Sequence, residues 1–327
     1  MEKIIKKKLK DKTFTWLITG SSGFIGGSLV KRLVQLNQKV IGIDIKKTSY
    51  VNKNYLFIKD DLKNIDAIKK KIKKKIDYIF HQASLTSVPE SIEKPNLYLS
   101  DNFLNFKNVL ILSKYKKIKN LVFASSSAVY GNRSNINFEK NSISFYNLQK
   151  LTSPYAQSKK IIEEYAKFYQ GNFNIVGLRY FNVFGPQQRT TGKNLPVISN
   201  WINLLKNKKT LTIYGDGKAK RDFIYIDDVV NANIISALII KKNEILNICS
   251  SKSITVNKLY DILSKIHCNF YPHFNKKPNY SKIRMGDIKK SIGSNNKAKK
   301  TIFFKENLDF INALTATYEW QIKKKLI

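Results

Sequence analysis

The stretch Thr15–Ile45, TWLITGSSGFIGGSLVKRLVQLNQKVIGIDI, decides the fold. It passes from a short β-branched and aromatic run, through a glycine turn, into an amphipathic helix, and out into a second strand, VIGIDI, which makes a βαβ unit. The turn holds Gly20, Gly23 and Gly26 at the spacing G-x-x-G-x-x-G. Glycine at the first two positions lets the backbone turn tightly and approach a pyrophosphate, and the third lets the helix pack close to the sheet. The phosphate is then expected at the helix N-terminus, where free N–H groups and the helix dipole favour negative charge. Asp44 ends the second strand, where a carboxylate accepts hydrogen bonds from ribose hydroxyls and repels the extra phosphate of NADP. NAD is therefore the expected cofactor, with Lys46 and Lys47 as the neighbouring features that favour NADP.

Outward from this unit the same rhythm continues. YLFIKDD (Tyr55–Asp61) ends in two carboxylates, DYIFHQAS (Asp77–Ser84) in small and polar residues, and KNLVFASSSAVYG (Lys119–Gly131) in three serines. Helical stretches separate these strands, the signature of an α/β fold with a doubly wound parallel sheet of Rossmann type. Ligands in such sheets sit beyond the carboxyl ends of the strands, so His81 is expected to line the cofactor site rather than to transfer protons.

With 327 residues, 43% of them hydrophobic, the chain can bury a substantial core. No apolar run approaches the roughly 18 residues of a membrane span, and the basic start lacks the features of a signal peptide, so a cytoplasmic protein is expected. Cys249 and Cys268 are too few and too far apart for a zinc cluster or a disulfide framework, and no metal site is expected. The formal charge of +36 would point to a polyanion, yet the six arginines (Arg32, Arg133, Arg179, Arg189, Arg221 and Arg284) contribute little of it. Lysine, asparagine and isoleucine are inflated together, as in a chain whose codons are biased toward A and T. Runs such as Lys69–Lys75 (KKKIKKK) therefore read as solvated helix faces, and nucleic-acid binding is not expected.

In SPYAQSK (Ser153–Lys159), Tyr155 stands four residues before Lys159 at a helix start, so both side chains face the same space. A cation beside a phenol favours the phenolate. A useful base at neutral pH needs the phenol lowered by roughly 3 units from its ordinary value near 10.

TGSSGFIG, HQAS, SSSAVYG, SPYAQSK, LRYFNVFGP, RDFIYIDDV and RMGDI, in this order from Thr19 to about Ser291, resemble the extended short-chain dehydrogenase/reductase family, in its nucleotide-sugar epimerase and dehydratase branch. The resemblance implies an NAD-binding Rossmann domain (1–176 plus about 227–250) and a smaller C-terminal α/β domain (about 177–226 plus 251–327) for a nucleotide sugar. It implies Tyr155 as catalytic base and Lys159 as the lysine that binds the nicotinamide ribose and lowers the tyrosine pKa. Ser126 matches the residue that hydrogen-bonds the reacting sugar oxygen, with Ser125 and Ser127 one position to either side. Cofactor contacts are implied for Gly20, Gly23, Phe24, Ile25 and Gly26, for Asp44, for Asp61 and Leu62 beside the adenine, and for Gln82 and Ala83. Substrate contacts are implied for Thr86, Ser87 and Ser127, for Asn182, Arg221 and Arg284 at the diphosphate, for Asp287 at the nucleotide ribose, and for Ser291 in the sugar pocket. Arginine suits a diphosphate because it offers paired donors to phosphate oxygens. The family also implies a homodimer through helices around Asn102 and Tyr155. KDDLKN at the adenine strand and Cys249 in LNICSS depart from the family pattern.

The reaction follows from what is missing. Dehydratases of this branch carry an Asp-Glu pair where this chain has Ser127 and Ala128, and elimination needs an acid and a base at those places. Decarboxylases likewise place a glutamate next to the catalytic threonine. Epimerisation needs a single acid/base, so a UDP-sugar 4-epimerase is expected, closest to bacterial enzymes for UDP-N-acetylglucosamine or its uronate. In the enzymes it resembles, the residue seven after the RMGDI arginine lines the pocket beside the sugar C2 substituent; an ungapped count from Arg284 makes this Ser291, a small residue that the resemblance implies admits an N-acetyl group. The alternatives are another nucleotide-sugar oxidoreductase, such as a 4-reductase or dehydratase or an epimerase for UDP-glucose or UDP-glucuronate, and a non-catalytic NAD-binding regulator or polyanion-binding protein.

Overall fold

The computed structural model describes residues 1–131, 151–169, 171–274, 277–283 and 288–323. Six strands from the first 180 residues and one late strand build a parallel sheet of seven: β1 (Thr15–Thr19), β2 (Lys39–Asp44), β3 (Tyr55–Lys59), β4 (Tyr78–His81), β5 (Asn120–Ser126) and β6 (Asn174–Tyr180), then β11 (Glu244–Ile248). The order is β3-β2-β1-β4-β5-β6-β11. The chain winds one way from β1 to β3 and the other way from β4 onward, so a crevice opens between the carboxyl ends of β1 and β4.

Strands covered on both faces carry apolar side chains on both. Alternation then sorts them: Trp16 and Ile18 enter one core, and Leu17 between them enters the other. Trp16 stacks on Tyr78 at a centroid distance of 4.4 Å and lies 5.3 Å from Phe80. The first core is covered by α2 (Phe24–Gln35) and α8 (Ile226–Ile239). Helix α8 is apolar almost all round because α1 (Glu2–Leu9), α2 and α10 (Asn296–Ile302) enclose it. The second face is covered by α3 (Ile65–Lys71), α5 (Pro95–Lys116) and α6 (Pro154–Phe168), with the short α4 (Val88–Glu93) between α3 and α5 in the chain and packed against α5 and α6.

Beyond β6 the chain builds a lobe on short strands. β7 (Asn182–Phe184) pairs with β10 (Phe223–Tyr225), β8 (Thr212–Tyr214) with β13 (Asn279–Ser281), and β9 (Lys220–Arg221) lies between β12 (Ile254–Thr255) and β14 (Lys290–Ser291). Helices α7 (Val197–Lys206), α9 (Val256–Phe270) and α11 (Phe310–Lys323) pack behind them. Among the described residues no helix is long and apolar enough to cross a membrane.

Candidate active site

A cleft of about 1770 Å³ runs from the crevice at β1 and β4 to the short-stranded lobe. Its floor begins at the glycine turn. Gly20 sits at φ +69°, and a Cβ there would lie 2.7 Å from the Ala83 nitrogen and 2.8 Å from the Gln82 carbonyl carbon. A Cβ on Gly26 would lie 2.1 Å from the Gly20 oxygen, so the third glycine lets α2 start directly against the turn. Gly23 stands at the N-cap of α2 and supplies no side chain to cap it, and Phe24, Ile25 and Gly26 line the cleft in the first turn. This cradle, which any side chain would fill, fits a dinucleotide diphosphate.

Asp44 holds the turn: one carboxylate oxygen accepts the Ser22 N–H at 3.0 Å and the other the Lys46 N–H at 2.9 Å. Each oxygen keeps capacity for a ribose hydroxyl. Further along the same edge, Asp61 accepts the Lys63 N–H at 2.9 Å, while Leu62 is buried in the core and its carbonyl takes the Asn108 amide at 2.9 Å. Gln82 lines the cleft and bonds the Tyr180 hydroxyl, and the Ala83 N–H donates to Thr19 Oγ1 at 3.3 Å.

His81 departs from expectation. It is 5% exposed, and its Nδ1 meets Thr19 Oγ1 at 2.8 Å instead of facing the cleft. Burial, with the Lys159 charge nearby, pulls its pKa down to about 3, so the ring is neutral at physiological pH. Thr19 is its register partner across β1 and β4, and that pairing turns the imidazole inward.

At the centre of the cleft stand Ser126, Tyr155 and Lys159. Ser153 caps α6, its hydroxyl accepting the Ala156 N–H at 3.2 Å, with Pro154 in the first turn, so Tyr155 projects from the start of the helix. Ser126, at the end of β5, is the serine hydrogen-bonded to the Tyr155 phenol. Ser125 points away, donating to Glu163, and Ser127 opens the 3-10 turn that follows. The Lys159 ammonium donates to the Ala124 carbonyl at 2.8 Å and lies 5.9 Å from the Tyr155 ring centroid. Burial lowers the Lys159 pKa to about 7, against the opposing pull of Glu163. Burial likewise pushes the Tyr155 phenol up, and the Ser126 bond pulls it back only in part.

At the far end, Asn182 and Arg221 line the cleft wall together. The Asp222 carbonyl accepts both the Asn182 N–H at 3.1 Å and its side-chain amide at 2.7 Å. The Asp222 carboxylate is fully buried under the Ser250 hydroxyl and the Ser250 and Gly293 amides, and burial pushes its pKa up to about 6. Ser291 is in register with Arg221 and 6% exposed; its side chain is not on the cleft wall. Thr86 and Ser87 line the opposite wall, where Ser87 caps α4 and accepts the Asn194 amide at 3.3 Å. Arg284 and Asp287 lie outside the described residues. No cluster of metal-binding side chains occurs among the described residues.

The sequence profile of the NAD dependent epimerase/dehydratase family matches residues 16–249. The chain belongs to this family. It is therefore an enzyme, with NAD as cofactor, and the glycine cradle and Asp44 are the features that suit that cofactor. Among solved structures, the UDP-N-acetylglucosamine 4-epimerase of Methanobrevibacter ruminantium, in complex with UDP-N-acetylmuramic acid, is 35% identical with a TM-score of 0.85, covering 96% of this chain and 99% of that one. The UDP-glucose 4-epimerase of Thermotoga maritima with UDP-glucose is 28% identical with a TM-score of 0.86, covering 96% and 100%. A UDP-glucuronate 4-epimerase of Thermodesulfobacterium geofontis is 28% identical over 93% of this chain and 95% of its own length.

Sequence reasoning left Glu163 unassigned and recorded Arg179 only as one of the arginines. The signal was present: a charged residue in the apolar run NIVGLRY needs a buried partner.

Proposed function

We propose that the protein is an NAD-dependent UDP-sugar 4-epimerase, acting on the UDP-N-acetylglucosamine/UDP-N-acetylgalactosamine pair or the corresponding uronates. The observation that carries this reading is the proton-transfer group Tyr155 bonded to Ser126, single among the described residues of the cleft centre, with Ser127 and Ala128 following Ser126 where elimination would need an acid and a base. The three relatives described above are 4-epimerases of UDP-sugars, which supports this reading.

When bound, NAD supplies the hydride acceptor and returns the hydride, so no cofactor is consumed. Tyr155 takes the proton of the sugar C4 hydroxyl as a 4-keto sugar forms, and returns it to the oxygen on the opposite face. Ser126 orients that oxygen. Asn182 and Arg221 hold the diphosphate while the keto sugar turns about its tether, with Arg284 and Asp287 proposed to complete the nucleotide site. Asp61, Leu62, Gln82 and Ala83 are proposed to border the dinucleotide, and Thr86, Ser87 and Ser127 the sugar.

A homodimer through α5 and α6 is part of the proposal, supported by the exposed Leu104, Ile111, Tyr115 and Phe168 on those helices. Light scattering of the wild type and of Phe168→Glu tests it: a dimer that the charge splits is expected, and a wild-type monomer would reject it.

The function is tested by incubating the purified protein with UDP-N-acetylglucosamine, UDP-glucose and their uronates, without added cofactor, and following the anomeric protons by NMR. Interconversion of a gluco/galacto pair with no net change in NADH is expected, and it names the sugar. No conversion by a protein that still holds NAD would move the assignment to a reductase or dehydratase.

A further inference from the structure

Behind Ser126 and Lys159 lies a set of buried polar groups that the chemistry above does not use. Glu163 follows Lys159 by four residues on α6, one turn further along the face that carries Tyr155 and Lys159. Its carboxylate is wholly buried and accepts from Arg179 Nε at 2.8 Å, from Arg179 Nη2 at 2.7 Å and from the Ser125 hydroxyl. Arg179, 1% exposed in β6, gives its Nη1 to the Tyr130 hydroxyl at 2.8 Å, and that hydroxyl donates to Asn247 Oδ1 in β11 at 2.7 Å. The network joins α6, β5, the turn after β5, β6 and β11 beneath the reacting groups.

Stability alone does not account for it. Removing two charges from water costs about what their attraction returns, and a well-packed apolar pair would join the same elements at least as firmly. The placement is what distinguishes Glu163. It stands one helical turn beyond Lys159, ion-paired with the Arg179 guanidinium, and it is the group that opposes the loss of the Lys159 charge to burial. Through Ser125 it also grips the residue before Ser126. The other groups facing Lys159 cannot supply this charge: Tyr155 from its own helix, the Ala124 carbonyl from β5, the neutral His81 from β4, and on the α5 side Asn102, which bonds Ser158 at 3.0 Å.

We propose that Glu163 is a positioning residue for proton transfer: a buried negative charge, locked in place by Arg179, that holds the Lys159 ammonium beside Tyr155 and, through Ser125, fixes the strand end where Ser126 stands. This rests on the reading of Tyr155 and Lys159 as the proton-transfer pair.

The test is the pH profile of kcat for the NAD-bound enzyme with Glu163→Gln and with the double variant Glu163→Gln/Arg179→Met, which leaves no guanidinium unpaired. Loss of the carboxylate weakens the Lys159 charge and so raises the pH at which Tyr155 becomes a base. The expected result in both variants is a rising limb displaced to higher pH, with kcat about tenfold lower at neutral pH and recovering in alkali. A merely structural role would lower kcat by one factor at every pH and leave the limb in place; that result, or a double variant with the wild-type limb, overturns the proposal. Tyrosinate absorbance, titrated for each protein against its Tyr155→Phe counterpart, reports the same midpoint without turnover. A wild type that converts no UDP-sugar therefore breaks the functional reading alone, while an unmoved Tyr155 midpoint in Glu163→Gln breaks this one.

Discussion

The two walls of the cleft are built differently. On one side, Tyr155 and Lys159 are 9% and 3% exposed, set on a 15-residue helix against a seven-stranded parallel sheet, with the Glu163–Arg179 pair beneath them. On the other, Arg221 is half-buried on a two-residue strand, its guanidinium donating to the Lys220 carbonyl, and Asn182 opens a three-residue one, held by the Asp222 carbonyl. Proton transfer needs a fixed distance between few atoms and gains from a rigid, desolvated support. Holding a diphosphate needs donors at a surface the substrate can reach, and short strands joined by turns supply them.

The sharpest way to break this contrast is Tyr155→Phe. It keeps the buried ring and removes the proton carrier, so kcat is expected to fall by roughly 10²- to 10⁴-fold with the thermal transition and NAD content preserved. NMR turnover and NAD released on denaturation measure both; retained turnover would remove Tyr155 from the chemistry. Next in size is Gly26→Ala. Its Cβ would meet the Gly20 oxygen at 2.1 Å, backbone that cannot step aside, and a loss of about 1–3 kcal/mol in stability is expected with a drop in co-purified NAD. A variant that kept both would show that α2 can move off the turn.

The two walls also differ in how far the sequence discloses them. In β1 to α2 every level agrees: the apolar run is buried, the glycines stand where a side chain would collide, and Leu29, Leu33 and Val34 repeat at helical spacing on the covered face. The Tyr155–Lys159 spacing is equally plain, because a helix turns it directly into a shared face. His81 was misread because strand-end position says nothing about which way a side chain turns; its pairing opposite Thr19 decided that. The opening helix α1 had only Ile4, Ile5 and Leu9 to mark it in a run of lysines, the two buried ones four apart. In the other lobe, strands of two and three residues are too short to show alternation, so their pairing follows from the tertiary fold. The lysine-rich end gave no motif, yet α11 buries Ala313, Leu314, Thr317, Tyr318 and Gln321 at helical spacing.

A smaller effect probes the second wall. Arg221→Met is expected to raise KM for the UDP-sugar roughly tenfold or more, the value of a charge-assisted bond to phosphate, while kcat falls less. If kcat fell as far as KM rose, Arg221 would act in the transition state and the division of labour between the walls would fail.

The smallest effect lies where α8 passes from one region to the other. Asp228, 1% exposed near the start of that helix, accepts the Asn307 N–H at 2.9 Å, and burial, helped by Glu306 and Asp227, pushes its pKa up to about 7. An unfolded aspartate titrates near 4, so between about pH 4 and about 7 the native state holds more protons than the unfolded one. Stability therefore falls as the pH rises through that window, and the contribution of Asp228 is fully present only below it. Asp228→Asn keeps an acceptor for Asn307 and removes the titration. Its transition temperature is expected to match the wild type at pH near 4 and to exceed it by roughly 2 °C above pH 7. Scanning calorimetry across that range decides it: a variant less stable than the wild type on the alkaline side would mean that the ionised Asp228 is held by a favourable partner, and that the junction between the two regions is more polar than its burial implies.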